Sequence, residues 1–452
     1  MDAYQWSIDH TRLSDVWLPY SAVTTGLMLQ LWKDLFIVPR ILCIFWGMCT
    51  LGVIGLYSFE LFHDEKITIL SLLIACVFPP LLILAHVPLP EITFIFFVVL
   101  GMYFYLHWQN TGHSLSLMVS AFCLALSSTI RYEGWVFVLF FAAQLVWMVI
   151  HHTERTDLKR TTLLAAVIVS LSFSIFWITQ TALTTESPVS FIGKTSDVFS
   201  RATHPSFLRL LWLNVGTQFL VQSILTLNII GVASAVIFWR NQPRIRNMLF
   251  IGLSALCCMT FMSFVARTLP THNPWRIAVV WSCLLLPFTA HWLTTYFRRK
   301  RTKRHYFRPI LVLLMFAGFC VQMTHLIKQS SFSRSDYSIG KFIEHEFNGN
   351  VLHADKILIE TSTWNYLHVI IASQHPESFL YNSGSDPKNP SQNILSLSPN
   401  DQTSVLENRH IRILIFHSAS YKSAIEKMDN ILKISGQGEW CVYEWRGEKT
   451  MK

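Results

Sequence analysis

Residues 129–135 read TIRYEGW. They follow the apolar run SLMVSAFCLALSS and precede VFVLFFAAQLVWMVI. Arg131 and Glu133 thus stand between two stretches apolar enough to lie in a membrane, where an ionised side chain is costly. What that pair does depends on how the rest of the chain is arranged around it.

The chain of 452 residues is 52% hydrophobic and only 14% charged, with 16 Trp and 33 Phe. A water-soluble chain carries roughly 25% charged residues, so this composition is that of a polytopic membrane protein. The formal charge of +9 does not mark a nucleic-acid binder, because the basic residues lie in short clusters between apolar runs. Eight of the nine cysteines (Cys43, Cys49, Cys76, Cys123, Cys257, Cys258, Cys283 and Cys320) fall in apolar runs, so neither a disulfide framework nor a CxxC metal pattern is available. The N-terminus MDAYQWSIDHTRLSD is polar from its start and is not a cleavable signal peptide.

Apolar runs near 20 residues are transmembrane candidates. They fall at about 38–59, 67–87, 92–108, 114–131, 135–150, 161–183, 217–239, 247–266, 277–297 and 309–327, which predicts about ten spans. Pro79–Pro80 predicts a kink or break in the second. The basic stretches HHTERTDLKR (151–160), WRNQPRIR (239–246) and RRKRTKRHYFR (298–308) follow spans five, seven and nine. All three therefore lie on one side, and the positive-inside rule makes that side cytoplasmic. The opposite face receives residues 1–37, the turn VPLPE (87–91), RYEGW, the loop 184–216, RTLPTHNPWR (267–276) and everything after 328. A polar N-terminus on that face means either that residues 1–37 are translocated without a leader or that one further span lies upstream of this sequence, and the second is the expectation.

The tail differs in material. KILIETSTWNYLHVII, RIRILIFHS and WCVYEW read as strands from their β-branched and aromatic content. DYSIGKFIEHEFN and YKSAIEKMDNILKIS have helical spacing, and NSGSDPKNPSQN reads as loop. The expected organisation is an extracytoplasmic segment 1–37, a transmembrane domain 38–327, and a small extracytoplasmic α/β domain 328–452.

Four outer-face features carry polar chemistry. Asp2, Asp9 and Asp15 lead into VWLPYSAV; the plain reading is a solvated loop, the functional one a carboxylate base, which must be held beside its substrate hydroxyl. Glu91 opens span three, where a carboxylate suits the helix dipole. Arg131, Tyr132 and Glu133 read either as an interfacial ion pair beside a belt tryptophan or as a site, in which the arginine fork binds phosphate and Glu133 orients it or accepts a sugar hydroxyl. Arg276, with His272 before it, is either a snorkelling residue or a second phosphate contact. Arg201 and His204 of the long loop are weaker candidates beside these. Each feature is a weak signal alone, and their placement on one face strengthens them. The tail histidines show no metal-ligand spacing, and no ligand cluster demands a divalent metal; no cofactor is expected.

A charged outer segment ending in WLP, an apolar run opening as VPRIL (38–42), a Pro–Glu at the outer end of a later span and a helix running into RYEGW together resemble the GT-C superfamily of polytopic glycosyltransferases, nearest the prokaryotic dolichyl-phosphate-mannose–protein mannosyltransferase-like proteins. Motif support covers about residues 1–150. The resemblance implies a hexosyltransferase with a polyprenyl-phosphate sugar donor, an acceptor of unspecified kind, the lipid bilayer as its medium and no nucleic-acid partner. Its site faces away from the cytoplasm, the side already assigned from loop charge. It implies a base at Asp2, or at Asp15 as the second match, an acidic site residue at Glu91, and site roles for Arg131 and Glu133 of the RYEG motif. In the functional reading of the residues themselves, Arg131 is the donor-phosphate contact with Arg276 as a second one, and Tyr132 and Glu133 position substrate. A bacterial inner membrane is favoured over the endoplasmic reticulum. A glycolipid transporter or a non-catalytic scaffold are the alternatives. The first would show repeats or helices broken at the midplane, and the second would show no shared pocket.

Overall fold

The structure is a computed structural model and describes residues 2–10, 18–151, 157–184, 214–223, 227–263, 274–298, 334–347, 356–361, 365–382, 393–417, 419–428 and 430–446, with Cys320 and Thr324. The chain divides into two compact units, one formed by Asp2–Gln30 and Pro39–Ser330, the other by Leu31–Val38 and Ser331–Lys452.

The first unit is helical. Its helices with described bounds are α1 (Asp2–Ile8), α2 (Pro19–Leu31), α3 (Ile37–Phe62), α4 (Glu65–Cys76), α5 (Pro79–Leu84), α6 (Glu91–Thr111), α7 (Ser114–Ser128), α8 (Glu133–His151), α9 (Asp157–Thr184), α10 (Val215–Ser223), α11 (Leu227–Asn241), α12 (Pro243–Phe261) and α13 (Trp275–Arg298). Among the described residues six helices are long and apolar enough to cross a membrane: α3, α6, α8, α9, α12 and α13. The chain is a multi-pass integral membrane protein.

The expected spans map onto these helices unevenly. The run 67–87 is two helices, α4 and α5, parted at Val77–Phe78. Pro79 and Pro80 have no N–H to continue the ladder, and they open the second helix instead. The run 114–131 is the 15-residue α7, about 22 Å long at 1.5 Å per residue and so shorter than a bilayer core of about 30 Å. The run 217–239 is divided between α10 and α11. The run 309–327 lies outside the described residues, apart from Cys320 and Thr324.

Burial separates core helices from peripheral ones. In α13, 83% of the apolar window is buried, and in α6 67% is; in α9 only 22% is. The outward side chains of α3 and α9, among them Phe45, Met48, Ile168 and Phe176, are large, apolar and exposed, as lipid-facing residues should be. Because lipid is as apolar as leucine, the core helices are joined by small residues and hydroxyls. Ser120 Oγ donates to the Gly101 carbonyl at 2.7 Å between α7 and α6, and Trp281 Nε1 donates to the Gly252 carbonyl at 2.8 Å between α13 and α12.

The second unit is a five-stranded sheet covered on both faces. Its elements are α14 (Arg334–Phe347), β1 (Lys356–Glu360), α15 (Tyr366–Ser373), β2 (Phe379–Asn382), α16 (Pro399–Asn408), β3 (Ile411–Phe416), α17 (Ala419–Ile425), β4 (Ile431–Gln437) and β5 (Trp440–Trp445). The strand order is β2-β1-β3-β5-β4. The first three are parallel, and β5 pairs antiparallel with β3 and with β4. Period-two alternation along β1 sends Ile357 and Ile359 into a core with Ile339, Ile343 and Val369, and Leu358 into the opposite core with Leu406 and Tyr443.

Two expectations for the tail are corrected. YLHVII was read as the end of a strand but forms α15, which packs beside α14. Its β-branched residues cover the sheet as a helix face, so tertiary packing overrides propensity. ILKIS was read as the end of a helix but is β4. The helical run stops at α17, and Asn430, with φ of 61°, turns the chain into the strand. The predicted loop NSGSDPKNPSQN falls largely outside the described residues.

Candidate active site

α7 ends in three successive hydroxyl residues. Ser127, Ser128 and Thr129 each donate a side-chain hydrogen bond to the carbonyl three residues back, at 2.6–2.7 Å. Such bonds compete with helix continuation. The chain then turns through 129–132 and re-enters a helix at Glu133. The turn is tight because Gly134 lies against the end of α7: a Cβ there would stand 2.6 Å from the Ser127 carbonyl oxygen and 2.8 Å from the Ser128 nitrogen. Trp135 closes it, its Nε1 donating to the Ser128 carbonyl at 3.0 Å.

Arg131 sits in this turn between two buried carboxylates. Its Nε and Nη2 donate to the two oxygens of Glu133 at 2.9 and 2.8 Å, and its Nη1 donates to Glu91 Oε1 at 3.0 Å. Glu91 is 4% exposed and Glu133 3%. Each carboxylate opens a helix, α6 or α8, where the helix dipole favours it. Burial works against the Arg131 charge, but the two carboxylates more than offset it and raise the guanidinium pKa above its ordinary value. The trio keeps one surplus negative charge. Three of the five guanidinium N–H groups are used, which leaves one on each terminal nitrogen. Glu91 Oε2 is buried and has no hydrogen-bond partner among the described residues.

Arg276 stands in the first turn of α13, which packs against α6. Its guanidinium lies 5.8 Å from the Trp275 ring centre and within electrostatic range of both Glu91 and Arg131. Tyr132 packs edge-on to Trp135 and hydrogen-bonds with Trp177, and burial pushes its phenol up to about 12. Glu91, Arg131, Tyr132, Glu133 and Arg276 thus gather at one end of the bundle.

The segment that follows Leu18 and Pro19 reaches the same place. The Tyr20 N–H donates to the Thr129 carbonyl at 3.3 Å, and its ring packs edge-on to Phe97. α1 lies along α2, with Trp6 against Gly26 and the Ser7 carbonyl against Gln30. Asp2 is therefore at the end of α1 nearer Pro19. Asp15, with Arg201, His204 and His272, lies outside the described residues. Among the described residues no group of three or more His, Cys, Asp or Glu is arranged to hold a metal.

One cluster was passed over in the sequence. Glu60, inside the run SFELF, accepts from Asn110 Nδ2 at 2.7 Å and pairs with His107 Nδ1 at 3.0 Å. The signal was available: an acid within an apolar run implies a partner on a neighbouring helix.

No protein-family profile and no curated protein matches the chain. Solved structures do. ArnT from Cupriavidus metallidurans in the apo state aligns with a TM-score of 0.66 at 12% identity, over 98% of this chain and 92% of that one. The same protein bound to undecaprenyl phosphate aligns at 0.61, also at 12% identity, over 99% and 92%. The chain has the GT-C fold. The archaeal oligosaccharyltransferase AglB from Archaeoglobus fulgidus, in complex with an inhibitory peptide and a dolichol-phosphate, aligns at 0.51 and 12% identity, over 92% of this chain and 63% of its own length. At these identities the likeness carries the GT-C fold itself, and residue roles have to be argued from this chain's own geometry.

Proposed function

We propose that this chain is a membrane glycosyltransferase that moves a sugar from a polyprenyl-phosphate donor to an acceptor hydroxyl on the extracytoplasmic face. The observation that carries this reading is Glu91: a buried carboxylate with one oxygen fixed by Arg131 and the other, Oε2, without a hydrogen-bond partner among the described residues. It stands at the bundle end opposite the basic loops. The polyprenyl phosphates bound by ArnT and AglB support the donor class. The order of sequence motifs favours the protein-mannosyltransferase-like branch.

In the proposed reaction the acceptor oxygen attacks the anomeric carbon from the face opposite the phosphate. The new glycosidic bond forms as the bond to the phosphate oxygen breaks, which inverts the centre. The phosphate departs on its lipid. The two remaining N–H groups of Arg131, together with Arg276, meet the charge that grows on it, and contacts that strengthen in this way lower the barrier. The acceptor proton goes to a carboxylate, at Asp2 or Asp15. Glu91 Oε2 accepts from a substrate hydroxyl, and Glu133 and Tyr132 hold the arginine and the wall of the site. The donor cannot leave the bilayer, so a membrane enzyme suits the chemistry.

Glu91→Gln tests this directly. The amide oxygen still accepts from Arg131, so the fold is kept, but the second carboxylate oxygen is lost. Release of polyprenyl phosphate from a panel of labelled donors, measured in proteoliposomes, is expected to fall roughly 100-fold or more with an unchanged melting temperature. Wild-type turnover in this variant would overturn the role of Glu91.

A further inference from the structure

At the far end of α6 the bundle holds a second feature, a cavity of about 300 Å³ between the ends of α6, α7, α8, α9 and α12. These ends adjoin the basic stretches 151–160 and 239–246, so the cavity lies at the cytoplasmic surface. α6 has 21 residues, which puts about 30 Å between Glu91 and this end of the helix. The two sites are therefore one hydrocarbon thickness apart.

The polar lining is made of Gln109, Ser114, Thr162, Arg244 and Asn247, and Leu117 and Met148 form part of the apolar wall. No carboxylate lines the cavity among the described residues. Gln109 Nε2 is buried and has no hydrogen-bond partner among the described residues. Arg244 is held in place through a relay, its Nη1 donating to Asn110 Oδ1 at 3.1 Å while Asn110 donates to Glu60. One guanidinium N–H is engaged there and the fork remains for a ligand. A buried amide donor without an acceptor, an anchored arginine and no acid call for an anionic oxygen ligand. The cavity lies among helix ends on the cytoplasmic side, and the cytoplasmic leaflet is the one that carries anionic headgroups.

We propose that this cavity binds the phosphate-bearing headgroup of an acidic phospholipid of the cytoplasmic leaflet. The phosphate oxygens accept from Arg244 and Gln109, and the acyl chains leave along the apolar wall. A volume at the small end of ligand pockets suits a phosphodiester with its glycerol rather than a polyprenyl-linked sugar.

The test uses the full chain exchanged into mixed phosphatidylglycerol and phosphatidylcholine, with retained lipids counted by native mass spectrometry. Wild type is expected to retain phosphatidylglycerol preferentially. Arg244→Gln and Gln109→Leu should each lower that preference roughly tenfold. Gln109→Leu guards against misfolding, because it removes a buried donor that has no acceptor. Arg240→Gln, an exposed charge on the same surface, should leave the preference unchanged. An equal loss in Arg240→Gln would show diffuse charge attraction and overturn the site, as would an unchanged preference in Arg244→Gln and Gln109→Leu. Inorganic phosphate is tested alone by thermal melting. Stabilisation of wild type equal to that by phosphatidylglycerol, and abolished by Arg244→Gln, would identify a soluble anion and overturn the lipid.

Discussion

Arg131 grips Glu133, only two residues further along the chain, with both Nε and Nη2, and reaches Glu91, forty residues upstream, with Nη1 at 3.0 Å. One side chain thereby fixes the first turns of two helices, α6 and α8, against each other. The proposed phosphate contact is also a structural clamp, and this decides how it can be tested.

Removing the clamp alone strands two buried carboxylates. Arg131→Ala should cost about 3–5 kcal/mol and leave little folded protein, so lost activity in that variant says nothing about phosphate. Replacing the trio together, as Glu91→Gln/Arg131→Met/Glu133→Leu, should recover much of the melting temperature in detergent and none of the transfer. A triple variant as unstable as Arg131→Ala would contradict this account.

Gly134 and Gly52 make a controlled pair. A Cβ at Gly134 meets the backbone of Ser127 and Ser128 below 3 Å, whereas at Gly52, in α3, it meets nothing within 4 Å. Gly134→Ala should destabilise by about 1–3 kcal/mol through overpacking. Gly52→Ala should be neutral or stabilising by up to about 1 kcal/mol. Thermal melts of the two single variants decide it.

In the second unit, buried Asp336 accepts from Trp440 Nε1 at 2.7 Å and lies 3.2 Å from His368 Nδ1. Trp440→Phe keeps a ring in the core and removes the donor, costing about 1–3 kcal/mol. Hydrogen exchange across α14 and β5 of the full chain should accelerate roughly tenfold. Unchanged protection would mean that another group satisfies the carboxylate.

Orientation can be read with a phosphatase that folds only outside the cytoplasm. Fused after residue 452 it should be active, and fused within 151–160 it should be inactive. The reverse pattern would invert both faces and with them the placement of the active site.

The bundle was legible in the sequence because apolar length and loop charge are read locally. The Pro79–Pro80 break was legible for the same reason, since a missing N–H needs no tertiary context. That Glu91, Arg131 and Arg276 share one face followed from the parity of the basic loops. The clamp did not follow, since no spacing rule says that Arg131 turns back onto Glu133 and also meets residue 91. α15 was misread because YLHVII is strand-like in composition, and only its packing beside α14 makes it a helix. β4 was misread because the helical spacing of α17 runs on through Asn430, where a positive φ breaks it.

The seat of Gly134 against α7 bears on how inactive relatives would be recognised. The glycine serves the path of the backbone, while the chemistry proposed here depends on a carboxylate 43 residues away. A chain could keep RYEG, fold normally and transfer nothing once position 91 is neutral. Sorting enzymes from pseudoenzymes in sequences of this kind therefore requires positions 91 and 131 to be read as a pair, with the glycine vouching for the fold alone.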